Sequence, residues 1–233
     1  MHQAEDLITQ IRPVLRAAGD PVRAAAQQAY MKSAMPYWGV TAPQLRTVLR
    51  PVLVGYVPAG AAEWRSDVRS VWDAATHREE RYAALALARH RIARPWQDVV
   101  ALDLYHHLVV TGAWWDVVDE IAGHLVGAVL AGHRETATPI MRAWMVDDDL
   151  WLRRTVILAQ LRHRADTDTT LLHDAIAANA GDTSFWIRKA IGWALREHAR
   201  TDPAWVRAEV VRLDASPGSG VSPLSLREAL KHL

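Results

Sequence analysis

Apolar residues recur along this chain at spacings of three and four. Leu7, Ile8, Ile11, Val14 and Leu15 lay one apolar stripe along a helix over about 3–17. Gly19-Asp20-Pro21 closes that helix and opens the next: glycine past the end, aspartate as N-cap, proline at the first helical position. The second helix runs to about Lys32, and S-A-M-P-Y-W-G-V-T-A-P predicts a loop. Thr41 with Gln44 makes a capping box for a helix to about Leu49 that Pro51 ends. Helices follow over about 61–75 and 76–89, the second capped by Thr76 with Glu79 as box partner. Pro95 opens one to about Thr111, and W-W-D-V-V-D begins one to about Leu130. Further helices cover about 136–145 and 169–178, and between them Asp147 to Asp149 caps one from W-L-R-R to near Arg164. F-W-I-R-K-A-I-G-W-A-L-R-E-H is helical, Asp202-Pro203 opens another helix, S-P-G-S-G is a flexible turn, and Ser225 with Glu228 caps a terminal helix. No alternating strand pattern competes.

The helices repeat. Aligning Y-A-A-L, D-V-V-D, T-V-I-L, A-I-G-W and E-A-L-K sets Arg81, Asp116, Arg154, Lys189 and Arg227 at equivalent positions, 35, 38, 35 and 38 residues apart. Helical hairpins at that period predict an all-α, right-handed superhelical solenoid of the HEAT or TPR type, one domain over 1–233. The second helix of each hairpin would line a concave face, and the basic residue at four of the five repeat starts would make it positive.

Composition narrows the chemistry. With 233 residues, 50% hydrophobic and 23% charged, the chain is an ordinary soluble globular protein. It has no cysteine, which excludes disulfides and thiolate metal sites, and its 11 histidines form no HExxH pairing, so neither metal nor cofactor is expected. There is no signal peptide and no membrane-spanning run, which points to the cytoplasm. The net charge of +1 is unevenly spread: from Trp151 onward 12 Lys and Arg face 9 Asp and Glu, a local excess of three. Eleven Trp against one Phe and five Tyr is a bias toward rings that suit both a helical core and a stacking surface.

Trp115 and Asp119 are four residues apart, so an indole and a carboxylate leave one side of a helix a turn apart. Counted from the repeat starts, Trp115 lies at −1, Asp119 at +3, Arg154 at 0 and Trp193 at +4, an arc of roughly 140° facing one groove. Taken singly, each has a plainer reading: a core tryptophan, a solvated aspartate, an ion pair between Arg154 and Asp147 to Asp149, and packing of Trp193 between repeats. Arg154, Arg188, Lys189, Arg196, Arg227 and Lys231 are candidate phosphate contacts. Two Trp faces would hold a flat cation by about 0.5 to 2 kcal/mol each, and a carboxylate beside them would stabilise developing positive charge or orient water. A purine alkylated at N3 or N7 needs all three features. It is cationic, its bond to deoxyribose is weakened, and its departure leaves an oxocarbenium-like sugar.

The blocks A-Y-M-K-S, W-G-V-x-x-P, W-W-D-V-V-D, W-L-R-R, F-W-I-R-K-A-I-G-W-A-L-R-E-H-A-R-T-D-P and S-P-L-S-L-R-E-A-L-K-H-L run from Tyr30 to the C-terminus. In them the chain resembles the AlkD-type DNA alkylation repair enzymes, HEAT-like-repeat DNA glycosylases. The resemblance implies Tyr30, Trp115 and Trp193 as the aromatic lining, Asp119 as the catalytic carboxylate and Arg154 as its neighbour at the DNA backbone. It implies excision of 3-methyladenine and 7-methylguanine types from double-stranded DNA without flipping the base into a pocket, and a monomer suffices for this. Two other readings stay open: a noncatalytic relative that binds distorted or branched DNA in the same groove, and a protein-binding repeat scaffold, in which Arg154 would be buried in a structural ion pair.

Overall fold

Short polar residues at helix starts set the architecture of the computed structural model, which describes residues 2–214, 220–231 and 233. Asp20, Thr41, Asp149, Asp168, Ser184 and Ser222 each accept backbone N–H groups of the helix that follows, as N-caps do. The helices are α1 (His2–Ala17), α2 (Pro21–Met31), α3 (Ala42–Gly55), α4 (Ala61–Asp73), α5 (Arg78–Ala88), α6 (Ala101–Gly112), α7 (Trp115–Glu120), α8 (Gly127–Gly132), α9 (Arg134–Trp144), α10 (Leu150–Leu158), α11 (Thr169–Ala177), α12 (Phe185–His198), α13 (Pro203–Asp214) and α14 (Pro223–Ala229). No strand occurs among the described residues, and none of their helices is long and apolar enough to cross a membrane. The chain packs as two compact units, Met1–Trp96 and Gln97–Leu233. Apart from Gly220, the S-P-G-S-G turn lies outside the described residues.

In the first unit α1 packs on α3, α4 and α5, and α4 pairs with α5. Trp64, Trp72, Leu15, Leu49 and Leu87 are fully buried there, each worth about 2–3 kcal/mol of apolar transfer. The Trp64 indole N–H donates to the Leu87 carbonyl at 3.2 Å, so the ring is buried without an unmet donor.

Two helix boundaries in this unit differ from expectation. Pro51 does not end α3, which continues to Gly55; the proline is on the exposed side, where water can satisfy the carbonyl it leaves unpaired. Glu79 is not a box partner for Thr76. Its side chain is fully buried and accepts the backbone N–H groups of Trp38, Gly39 and Val40 at 2.9, 2.9 and 3.0 Å. Thr76 instead bonds Glu80, which also holds Arg12 and the Trp38 indole. The W-G-V segment is thereby tied to α5, and Gly39 is required in it: φ is +84°, and a Cβ there would lie 2.1 Å from the Asp20 carbonyl oxygen.

In the second unit the repeat becomes visible. Asp116, Arg154, Lys189 and Arg227 fall on α7, α10, α12 and α14, and these helices pack in succession, α7 on α10, α10 on α12, α12 on α14. Trp114, Trp151 and Trp186 occupy the N-terminal ends of α7, α10 and α12, with ring centroids 5.2 to 5.9 Å apart. Part of the tryptophan excess is thus an aromatic seam between successive repeats.

Three boundaries shift from Pro95 onward as well. Pro95 sits inside a short 3₁₀ turn, Arg91–Trp96, and α6 begins only at Ala101, whose N–H bonds the Asp98 carboxylate at 3.1 Å. The W-L-R-R helix stops at Leu158 and passes through turns to a second 3₁₀ segment, Arg164–Asp166. The terminal helix is capped by Ser222, because Ser225 is buried in its first turn, donating its hydroxyl to the Arg188 carbonyl at 2.8 Å.

Between α7 and α8 the helix does not break. It passes through one π-helical stretch, Ile121–Val126, and resumes at Gly127. Gly127 lies so close to α10 that a Cβ there would be 2.4 Å from the Ala159 carbonyl oxygen.

Candidate active site

Trp115, Asp119 and Trp193 line one open cavity of about 820 Å³ within the second unit. Its wall continues with Glu120 at the end of α7 and with Gly123 and His124 on the π stretch, and across to Leu161–Asp166 and Glu197. A π turn bonds residues five apart and brings them onto one face. Asp119 and His124 therefore share the cavity, a relation that a spacing of three or four does not disclose.

Behind the cavity, Arg154 holds Asp119 with a fork. Its Nε lies 2.8 Å from Asp119 Oδ1 and its Nη2 2.9 Å from Oδ2, and its Nη1 donates to the Trp186 carbonyl at 2.5 Å. Arg154 is 4% exposed, and its guanidinium carbon is 5.9 Å from the centroid of the Trp186 ring. This planar, bidentate geometry fixes the carboxylate in direction as well as in charge. Burial pushes the Asp119 carboxyl above its ordinary pKa; the bonds and charge of Arg154 pull it down without cancelling that effect, and Asp116 adds to the rise.

Arg154, expected at the DNA backbone, is not free at the surface: it is enclosed and paired with Asp119. Nor does Arg154 pair with Asp147 to Asp149. It is Arg153 that takes the Asp147 and Asp148 carbonyls and the Asp182 carboxylate.

The other basic candidates lie outside the lining. Lys189 and Arg196 both pair with Glu228, at 3.1 and 2.5 Å, and Arg188 donates to the Asp182 carbonyl at 2.9 Å. Arg227 and Lys231 are exposed on and just after α14. The cavity wall carries five carboxylates, Asp116, Asp119, Glu120, Asp166 and Glu197, against Arg162 and Arg164, so it favours cations. This corrects the expectation of positive repeat starts at Arg154 and Lys189, whose charges are neutralised by Asp119 and Glu228.

Tyr30 belongs to the first unit, on α2, and is 78% exposed. Glu120, His124, Arg162 and Glu197 were not among the residues singled out from sequence. His124 Nε2 lies 3.5 Å from both Glu120 Oε2 and Arg162 Nη1. Among the described residues no group of three or more His, Cys, Asp or Glu is arranged to hold a metal ion.

The model of one protein family, described as DNA alkylation repair enzyme, matches residues 11–233. The chain belongs to that family. A solved structure described as a predicted DNA alkylation repair enzyme from Enterococcus faecalis is similar to this DNA alkylation repair protein over 92% of this chain and 96% of its own, with 29% identity and a TM-score of 0.81. No curated protein matches. The family's all-α helical-repeat fold is the one that sets Asp119 of one repeat against Arg154 of the next.

Proposed function

We propose that this DNA alkylation repair enzyme is a monofunctional glycosylase that hydrolyses the N-glycosidic bond of positively charged N3- and N7-alkylpurines in duplex DNA. The observation that carries the reading is Asp119: a carboxylate at the wall of an acidic cavity that two tryptophans also line, held by a buried arginine. The Trp115 and Trp193 faces and the surrounding carboxylates suit a flat cation. As the bond from C1′ to the purine nitrogen breaks, its electron pair leaves with the base and neutralises it. The sugar becomes oxocarbenium-like, and Asp119 stabilises that charge. Each Asp119 oxygen accepts one bond from Arg154 and keeps a lone pair for water. Water adds through its oxygen to C1′ and gives its proton to the carboxylate or to solvent. The cavity wall presents no lysine to form a Schiff base with the sugar, which agrees with a monofunctional enzyme.

The deciding experiment measures free base released from duplex DNA containing 7-methylguanine. Release by the intact chain and its loss in Asp119→Asn, with DNA binding retained, support the assignment. Equal release by both removes Asp119 from the chemistry, and release by neither favours a noncatalytic member of the family that only binds DNA.

A further inference from the structure

One pairing occurs twice on the wall of the Asp119 cavity. Trp115 and Asp119 are four residues apart on α7, and Trp193 and Glu197 are four apart on α12. Each helix therefore turns an indole and, one turn further on, a carboxylate to the same space, and all four residues line it. Between them α10 packs against both helices and supplies Arg154, which takes both oxygens of Asp119. Glu197 is held otherwise. Its side chain is 33% exposed and meets Arg200, three residues on, at 3.4 Å. That guanidinium is itself mostly in water, so the contact neutralises little of the charge. One carboxylate is fixed by a buried cation, and the other keeps its charge to offer.

The hydrolysis proposed for this cavity places positive charge at two points in turn. In the bound alkylpurine the charge lies on the base; as the bond to C1′ breaks, the electron pair neutralises the base and the charge passes to the sugar. A carboxylate beside the sugar strengthens its hold toward the transition state, whereas one beside the base acts most strongly before the bond breaks. Asp119 has the first task, which leaves the second to the other pair. The Trp193 face suits a flat cationic ring, and a carboxylate one turn away accepts from the exocyclic amino group that adenine and guanine both carry. We propose that Glu197, together with Trp193, recognises the alkylated base: its carboxylate binds the purine cation and so favours damaged over undamaged DNA at this site. This rests on the reading of the chain as an alkylpurine glycosylase and names the group that meets the base within it.

The test makes two measurements on the full chain. Single-turnover release of 7-methylguanine from duplex DNA, followed over a range of protein concentration, gives a half-saturating concentration and a maximal rate. Competition between alkylated and undamaged duplexes of one sequence, in the Asp119→Asn background where the base stays attached, gives the preference in binding. Glu197→Gln is expected to raise the half-saturating concentration roughly five- to tenfold, the gap between a charge-assisted and a neutral hydrogen bond, and to cut the preference for the alkylated duplex by the same factor. The maximal rate should not fall, and affinity for undamaged duplex should hold, which also shows that the variant folds. Glu197→Asp, which keeps the charge on a shorter stem, should recover part of the preference. A maximal rate lowered as in Asp119→Asn would move Glu197 to the sugar, and an unchanged preference would remove it from recognition; either overturns the proposal. Preference for the alkylated duplex that depends on Glu197, without base release by the intact chain, sinks the glycosylase reading alone. Base release with an unaltered preference in Glu197→Gln sinks this one alone.

Discussion

Asp119 and Arg154, 35 residues and one repeat apart, share a two-pronged contact in which both carboxylate oxygens are held, at 2.8 and 2.9 Å. The pair couples the stacking of α7 on α10 to the direction of the carboxylate at the cavity wall. Arg154→Ala leaves that carboxylate enclosed without its counter-ion. We expect a loss of about 3 kcal/mol in stability, the scale for breaking a buried pair, and a fall in base release. The pH profile is the sharper reading. In the proposed mechanism Asp119 works as the anion, and burial raises its pKa above the ordinary aspartate value, so activity is expected to rise as pH climbs through that pKa. Without Arg154 that acid limb moves to higher pH, and Arg154→Lys moves it less. A limb that stays in place would detach Arg154 from the function of Asp119.

Glu79 holds three consecutive backbone N–H groups of the W-G-V segment from a fully buried position. Glu79→Ala orphans them, at about 1–3 kcal/mol each before relaxation. The expected outcome is a loss of at least about 3 kcal/mol in chemical denaturation, with Glu79→Gln milder because its carbonyl keeps one acceptor. A wild-type midpoint for Glu79→Ala would refute the tie.

Asp67 is 3% exposed and accepts the Tyr56 hydroxyl at 3.0 Å. Burial raises its pKa above the ordinary value; the Tyr56 bond opposes this and Glu63 adds to it. A carboxyl raised on folding costs stability once pH rises through its folded pKa, and costs nothing below the unfolded one. Asp67→Asn keeps an acceptor for Tyr56 and cannot ionise. Its melting temperature should exceed that of the wild type at pH 7 by about 2–4 °C, the shift for about 1 kcal/mol in a chain of this size. The gain should disappear near pH 3. A gain that persists there would show that charge is not its cause.

Glu228 neutralises both Lys189 and Arg196. Glu228→Gln releases the two cations on α12, and the salt dependence of DNA binding should steepen, by at most about 1.8. Lys189→Ala alone should leave the slope nearly as it is in the wild type. A marked flattening in Lys189→Ala would mean that the lysine leaves its carboxylate when DNA arrives.

The fold was legible because its signals are local. Asp20-Pro21 and the Thr41–Gln44 box announce helix starts by chemistry confined to one turn, and both occur as read. The second helices carry Asp116, Arg154, Lys189 and Arg227 at the repeat period. What escaped are choices settled by distant partners. Glu79 has the spacing of a box residue, yet three N–H groups 39 to 41 residues earlier in the chain claim it. Ser225 looks like a cap until the Arg188 carbonyl takes its hydroxyl. At the cavity, Trp115, Asp119 and Trp193 share a lining that heptad-like counting could anticipate. His124 does not follow from such counting, since the helix around it abandons the regular period, and Arg154 turns inward because an anion waits there.

That departure from regularity makes the length of one segment as informative as its letters. The π stretch accommodates one residue more than an unbroken α-helix would need between Asp119, which must meet Arg154, and Gly127, which must fit under the Ala159 carbonyl. Both ends are pinned to α10, so the surplus has nowhere to relax. Removing Gly123 alone, without altering any other side chain, would return the helix to its ordinary period and turn one anchor from the other by about 100°. Either the carboxylate would leave its arginine or the glycine its carbonyl.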